Sequence, residues 1–269
     1  MTAFKGIWTR PFWTSMAGEF LAVFLFLVVS LGSTAGITIP GPSDTHIAFC
    51  FGFSIAILIH CFGHICEAYL NPAVALAMIC TRKITVAKGI FYIVIQCLAA
   101  IAGAGVVALV TPNDKWPVGI TKEHETISHG QALLVETLIT FQLVFTIFAS
   151  CDKKRTDIKV PIPLIIGLSV TIGHLFAIKY TGASMNPARS LGTSVVFNHW
   201  ENHWIYWLGP MMGGVLASFL YEYLFCPDPE VKLRLQANFS RQRNEDESVQ
   251  LNVHPGGGGG EYNKLEATA

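Results

Sequence analysis

Long apolar stretches recur along the chain, and each of them has the length of a membrane-spanning helix. Crossing the hydrocarbon core of a bilayer takes about 20 predominantly apolar residues. Six stretches meet this requirement, at roughly 17–39, 47–65, 89–111, 130–150, 160–178 and 203–225. The pattern therefore predicts an all-α membrane protein with six transmembrane helices.

Two further apolar segments are shorter, and each begins with the tripeptide Asn-Pro-Ala. The two tripeptides are Asn71, Pro72 and Ala73, and Asn186, Pro187 and Ala188. Proline is tolerated in the first turn of a helix and asparagine is a favoured N-cap, so both sites predict helix starts. The helices that follow, at about 72–81 and 187–197, reach only about halfway across the bilayer. We therefore predict two re-entrant half-helices whose positive N-termini face each other near the membrane midplane.

The two halves of the chain repeat one another. Equivalent positions include Glu19 and Glu136, Gly52 and Gly167, Asn71 and Asn186, and Tyr92 and Tyr206. Each half holds three full crossings, an odd number, so the second half must insert upside down relative to the first. An inverted repeat with broken helices places the functional site at the midplane, between the halves. We expect the repeats at about 10–111 and 130–226.

Composition narrows the choice of function. Hydrophobic residues make up 52% of the chain and charged residues only 13%, about half the charged share of a soluble domain. The formal net charge is zero, which gives no basic field for nucleic acid. The seven cysteines lack the spacing of a disulfide framework or a metal site. We therefore expect no enzyme activity, no catalytic residues, no cofactor and no metal.

The positive charges set the expected orientation. One side of the six-helix plan carries Lys5, Arg10, Arg82, Lys83, Lys88, Lys153, Lys154, Arg155 and Lys159. The positive-inside rule then puts both termini in the cytoplasm. Residues 1–226 are expected to form the membrane domain. The polar segment 227–269 contains an unbroken run of five glycines and predicts a disordered cytoplasmic tail.

The paired tripeptides, the repeat and the run Thr181–Ser190 resemble the aquaporin, or major intrinsic protein, family. The resemblance covers about residues 5–230, and the runs Gly173–Phe176 and Trp200–Trp207 are similar to the water-selective animal members. It implies a plasma-membrane channel in the lipid bilayer that conducts water passively in single file and excludes ions and protons. Asn71 and Asn186 would be central hydrogen-bond donors. The family also implies a homotetramer with one pore per subunit.

The resemblance further implies a selectivity filter near the extracellular mouth. Its residues would be Phe51, His174, Ala183 and Arg189. Phenylalanine would supply an apolar wall, histidine and arginine would supply hydrogen-bond donors, and the histidine ring would narrow the pore. Arg189 would add a fixed positive charge against cations and protons.

Glu19 and Glu136 are carboxylates within apolar helices, where an unpaired charge is costly. The resemblance implies that each one braces a re-entrant loop by accepting hydrogen bonds from its non-helical backbone. The alternative is an interfacial position near a helix end, which fits Glu19 better than Glu136.

The chain departs from the family pattern before the first Asn-Pro-Ala. Relatives typically have Ser-Gly-Gly-His or Ser-Gly-Ala-His there, whereas this chain has Cys66, Glu67, Ala68 and Tyr69. Glu67 adds a carboxylate and Tyr69 a larger ring, so either would form a cytoplasmic constriction if it pointed into the pore. The alternative is that both side chains turn into the protein, Glu67 towards a nearby cation or backbone amide.

Two other functions stay open at this point. One is a channel for other small neutral solutes, such as glycerol, urea or hydrogen peroxide. The other is a structural or adhesive membrane protein whose pore is closed. Swelling measurements on proteoliposomes separate all three.

Overall fold

The computed structural model describes residues 9–225, and all regular secondary structure in that range is helical. The eight α-helices there are α1 (Arg10–Gly32), α2 (Asp44–Cys66), α3 (Pro72–Cys80), α4 (Val86–Val110), α5 (His129–Ser150), α6 (Ile162–Thr181), α7 (Pro187–Phe197) and α8 (Ile205–Phe219). A short 3-10 helix, Asn113–Lys115, lies in the long connection between α4 and α5. The predicted tail from 227 lies outside the described residues.

Five helices, α1, α2, α4, α5 and α6, are each long and apolar enough to cross a membrane. The sixth crossing segment is composite, because α8 runs directly into a π-helical turn, Leu220–Phe225. The first crossing helix begins seven residues earlier than the predicted boundary of 17. Pro11 fits the first turn of α1, where its missing N–H costs nothing, so the helix starts ahead of the apolar stretch.

The half-helices α3 and α7 begin where the sequence predicts. Asn71 is the N-cap of α3, and its side-chain oxygen accepts from the Ala73 N–H at 2.8 Å. Asn186 caps α7 in the same way, accepting from Ala188 N–H at 3.0 Å and from Arg189 N–H at 3.3 Å. At 1.5 Å per residue, helices of 9 and 11 residues are about 14 and 17 Å long. Neither can cross the bilayer alone.

The two halves pack by the same plan, with helices α1 to α4 matching α5 to α8. In each half the first helix packs on the second and the fourth. The half-helices pack across the repeat, α3 against α8 and α7 against α4. Helices α2 and α6 contact each other between the halves. Each half therefore completes the other, and the half-helices meet at the repeat interface.

The α2 and α6 contact depends on two glycines that face each other. A Cβ atom at Gly52 would lie 1.8 Å from Thr171 Oγ1 and 2.5 Å from the Gly167 carbonyl oxygen. A Cβ atom at Gly167 would lie 2.4 Å from the Gly52 carbonyl oxygen. Small residues let membrane helices approach to backbone contact, and here any side chain must push the helices apart.

We expect Gly52→Ala to lower the free energy of unfolding by about 1–3 kcal/mol through overpacking. Thermal unfolding of the protein in detergent measures the change. Gly105→Ala is the matched control, because a Cβ atom there meets no heavy atom of the described residues within 4 Å. Equal melting temperatures for the two variants would contradict this account of the contact.

Candidate pore

The two capping asparagines hold the repeats together at the centre of the molecule. Asn71 Nδ2 donates to the Met185 carbonyl at 2.7 Å, and Asn186 Nδ2 donates to the Leu70 carbonyl at 2.8 Å. The side-chain oxygen of each asparagine is occupied by its own half-helix. An amide nitrogen carries two hydrogens, so each asparagine keeps one N–H for another acceptor.

A cavity of about 130 Å³ runs past these asparagines. Its wall is mainly apolar and includes Ile55, Val74, Met78, Leu143, Ile147, Ile166 and Val170. Polar residues interrupt that wall, namely Glu67, Asn71, His174, Ser184 and Asn186, and Tyr69 and Cys151 also line the cavity. The cavity therefore extends from His174 of the predicted filter, past the asparagine pair, to the residues before the first Asn-Pro-Ala.

Three of the four predicted filter residues are in direct contact. The Phe51 and His174 rings have their centroids 4.4 Å apart, and the Arg189 guanidinium carbon lies 5.2 Å from the Phe51 ring centroid. Ala183 is fully buried in the loop that leads into α7, and its N–H donates to Thr181 Oγ1 at 3.2 Å. Arg189 is fixed by donating from Nη1 to the Gly119 carbonyl in the connection between α4 and α5.

The filter presents one acceptor and one donor that lack a partner. His174 Nδ1 lies 3.0 Å from the Val170 carbonyl, which can only accept, so Nδ1 carries the hydrogen. In the neutral ring Nε2 is then an acceptor, whereas the family resemblance implies a second donor at this position. Neither His174 Nε2 nor Arg189 Nε has a hydrogen-bond partner among residues 9–225. Buried polar atoms are normally paired, so both atoms are available to a small polar permeant.

Glu136 contacts the loop before the second Asn-Pro-Ala with both carboxylate oxygens. Oε1 accepts from Thr181 Oγ1 at 2.6 Å and from the Ser184 N–H at 2.9 Å. Oε2 accepts from the Met185 N–H at 2.9 Å. The side chain is fully buried, so these contacts supply partners to backbone that is neither helical nor hydrated.

Glu19 occupies the equivalent position in the first repeat but makes fewer contacts. Its Oε1 accepts from the Leu70 N–H at 2.6 Å and from Gln96 Nε2 at 2.7 Å. Its Oε2 has no hydrogen-bond partner within the described part of the chain. Glu19 is fully buried and accepts from the loop, which favours the bracing role over the interfacial alternative.

The two loops follow the same backbone path. Three positions in each have positive φ angles: 61°, 48° and 53° at Glu67, Ala68 and Leu70, and 76°, 50° and 53° at Gly182, Ala183 and Met185. Each of these residues is 115 positions from its counterpart. The repeat is thus preserved down to individual backbone angles.

Glu67 and Tyr69 differ in the contacts that their side chains make. Glu67 is also among the residues that line the cavity, but its carboxylate is paired, because its two oxygens accept from Lys88 Nζ at 2.8 and 2.9 Å. The Tyr92 hydroxyl also donates to Glu67 Oε2, at 2.7 Å. Tyr69 lines the cavity, with its ring packed edge-on against Tyr92 at a centroid distance of 5.6 Å. Of the two alternatives, Glu67 therefore follows the one with a nearby cation.

Several residues that position the site were not predicted. They are Thr181, Gln96, Gly119, Lys88 and Met185. Gly119, Leu70 and Met185 act through backbone carbonyls, which carry no side-chain signal. The role of Gln96 could have been predicted, because a lone amide in an apolar span needs a polar partner.

Membrane-spanning helices that enclose one narrow cavity, with two half-helices meeting at paired asparagines, define a membrane channel. A family model described as major intrinsic protein matches residues 7–221, so the chain belongs to that family. Aquaporin-4 of Notomys alexis is 58% identical over 246 residues, covering 90% of this chain and 76% of the relative. Aquaporin-4 of Homo sapiens is 55% identical over 258 residues, covering 94% and 80%.

The solved structures include a similar fold at lower identity. The X-ray structure of the aquaglyceroporin from Plasmodium falciparum has a TM-score of 0.71 and 22% identity, covering 82% of this chain and 99% of that one. At that identity the likeness bears on the fold alone. The two Aquaporin-4 relatives confirm the resemblance to the water-selective animal members of the family.

We expect Glu136→Gln to destabilise the protein more than Glu19→Gln. Both Glu136 oxygens accept hydrogen bonds from N–H or O–H groups. The NH₂ group of a glutamine there would face one of these donors, at a cost in stability of about 1–3 kcal/mol. The amide of Glu19→Gln can take the place of Oε2, which holds no donor among the described residues. Melting temperatures in detergent measure both. Equal or reversed losses would contradict the assigned contacts.

Proposed function

We propose that the protein is a passive channel that conducts water in single file across the plasma membrane and excludes ions and protons. The observation that carries the proposal is a row of unpaired polar atoms along one apolar cavity. Within residues 9–225 these atoms are His174 Nε2 and one N–H each of Asn71 and Asn186, and Arg189 Nε lies unpaired in the adjoining filter. Their spacing along an apolar wall gives water a few hydrogen bonds without holding it tightly. The name of the Aquaporin-4 relatives supports the same permeant.

The asparagine pair supports proton exclusion. Because the oxygens of Asn71 and Asn186 are committed to their half-helices, both residues can act only as donors towards the cavity. A water molecule between them accepts with its oxygen, so its own hydrogens point away towards the two mouths. A continuous proton-conducting chain is thereby interrupted. The positive ends of α3 and α7 repel cations at the same place.

The filter favours water over larger neutral solutes. The Phe51 and His174 rings lie 4.4 Å apart between centroids, and Arg189 closes a third side. Glycerol or urea would have to displace one of these groups. This contact is the reason for preferring a water channel to a general solute channel. The cavity that reaches from Tyr69 past both asparagines to His174 argues against the second alternative, a closed-pore adhesive protein.

We also propose that both termini lie in the cytoplasm and that four copies assemble, each with its own pore. The orientation rests on the lysines and arginines of the predicted cytoplasmic side, which include Lys83, Lys88 and Lys153. The tetramer rests on membership of the major intrinsic protein family. The family also supports the absence of enzyme activity.

In proteoliposomes, we expect the unaltered protein to raise water permeability well above that of empty vesicles and to leave glycerol permeability near background. His174→Ala should admit glycerol or urea, because it removes the ring that faces Phe51 at 4.4 Å. Stopped-flow light scattering measures both fluxes. Swelling equal to that of empty vesicles would favour a closed pore. Glycerol passing as readily as water through the unaltered protein would overturn the filter assignment.

We expect an impermeant mercurial, applied from the extracellular side, to leave the unaltered filter open because Ala183 offers no thiol. Ala183→Cys should make water flux sensitive to the reagent. Cys50→Ser with Cys61→Ser provides the background, since both thiols belong to α2 and Cys61 is exposed. Complete block from outside in that background, without the Ala183 change, would show that the pore is misplaced.

A further inference from the structure

Glu67 stands in a backbone conformation that suits glycine. Its φ angle is 61°, and the equivalent residue of the second repeat is Gly182, at 76°. Left-handed backbone is unfavourable for a residue with a side chain and routine for glycine. Strained residues of this kind persist where the surrounding structure holds them and are concentrated at functional positions. The first repeat thus carries a carboxylate at a position where the second repeat has no side chain.

The Glu67 carboxylate forms a clasp, defined here as Glu67, Lys88 and Tyr92. Lys88 Nζ donates to both oxygens, and the Tyr92 hydroxyl donates to Oε2 and lies 2.8 Å from the Cys66 carbonyl. The Tyr206 hydroxyl in the second repeat donates to the Thr181 carbonyl at 3.2 Å. The clasp therefore joins the loop before the first Asn-Pro-Ala to α4 through an ion pair. The second repeat has no ion pair at the equivalent position, because Gly182 has no side chain.

Tyr69 is held between this clasp and the cavity. Its ring makes the edge-on contact with Tyr92, which is fully buried with Met16 and Ala75. The residue is half-buried and lines the same cavity as Ile147, Cys151 and Ile162.

We propose that Tyr69 forms a second constriction on the cytoplasmic side of the asparagine pair, and that the clasp is a positioning device that holds its ring against the pore wall. The proposal rests on the proposed water-channel function. Two sieves then act in series, the filter at His174 and Arg189 and a second one at Tyr69. Releasing the clasp lets the ring move from Tyr92 into the water path, so the clasp keeps the constriction partly open.

The constriction is tested by removing the ring. Tyr69→Ala should raise water permeability per channel by about two- to tenfold, the range corresponding to one hydrogen bond on the rate scale. His174→Ala with Tyr69→Ala should pass glycerol faster than His174→Ala alone, because both sieves are then open. Tyr180→Ala is the control, since Tyr180 belongs to α6 and is exposed on the outside of the helix bundle. Unchanged water flux in Tyr69→Ala overturns the constriction.

The positioning role is tested by breaking the clasp in two ways. Lys88→Met should lower water flux, and Tyr69→Ala should abolish that effect in the double variant. Glu67→Gly removes the carboxylate and relieves the left-handed strain, so it should lower flux without lowering the melting temperature. Lys83→Met is the matched control, because Lys83 pairs with Glu222 at 3.0 Å. An equal loss of flux from Lys88→Met with and without the Tyr69 ring overturns the positioning role.

Thiol labelling separates failure of this proposal from failure of the proposed function. Tyr69→Cys, in a Cys151→Ser background, should react with a small water-soluble methanethiosulfonate reagent applied from the cytoplasmic side. Labelling without water flux in any variant would overturn the water-channel function and leave Tyr69 at an aqueous cavity. Resistance to the reagent in a conducting protein would overturn the placement of Tyr69 in the water path and leave the function standing.

Discussion

The structure depends on one constraint, which is that backbone polar groups cannot lie unpaired where water is scarce. The loops before the half-helices turn through left-handed residues and form no regular helix, so their N–H and carbonyl groups need partners from elsewhere. Glu136 and Glu19 supply acceptors, and the side-chain amides of Asn71 and Asn186 supply donors. These carboxylates and amides pair the backbone groups of the loops. Each asparagine then keeps one N–H for the cavity.

The two repeats meet this constraint unequally. The second loop has a carboxylate with both oxygens occupied and a glycine in the left-handed position. The first loop has a carboxylate with one oxygen occupied, within the described residues, and a strained glutamate in place of the glycine. An ion pair to Lys88 compensates at the surface end of that loop. The departure is therefore confined to one half of the pore, and the filter in the other half keeps its geometry.

Much of the architecture follows from local physical rules. Apolar length places the crossing helices, and the helix preferences of asparagine and proline place the starts of α3 and α7. The first boundary of α1 is missed because Pro11 begins a helix before the apolar stretch does. The composite end of α8 and the orientation of His174 depend on tertiary contacts, which a linear pattern does not contain. The partner of Glu67 belongs to another helix, 21 residues away, so the sequence indicates only that a cation is needed.

The exchange of hydrogen bonds between the asparagines has a consequence for biogenesis. Asn71 donates to a carbonyl that follows it by 114 residues, and Asn186 donates back to one that precedes it by 116. A ribosome delivers the first half of the chain to the membrane well before its partner exists. Until then the Asn71 amide and the Leu70 carbonyl lack their hydrogen-bond partners from the second half, and α3 lacks the helix α8 against which it packs. The pore is thus completed only when the last segments of the chain have inserted.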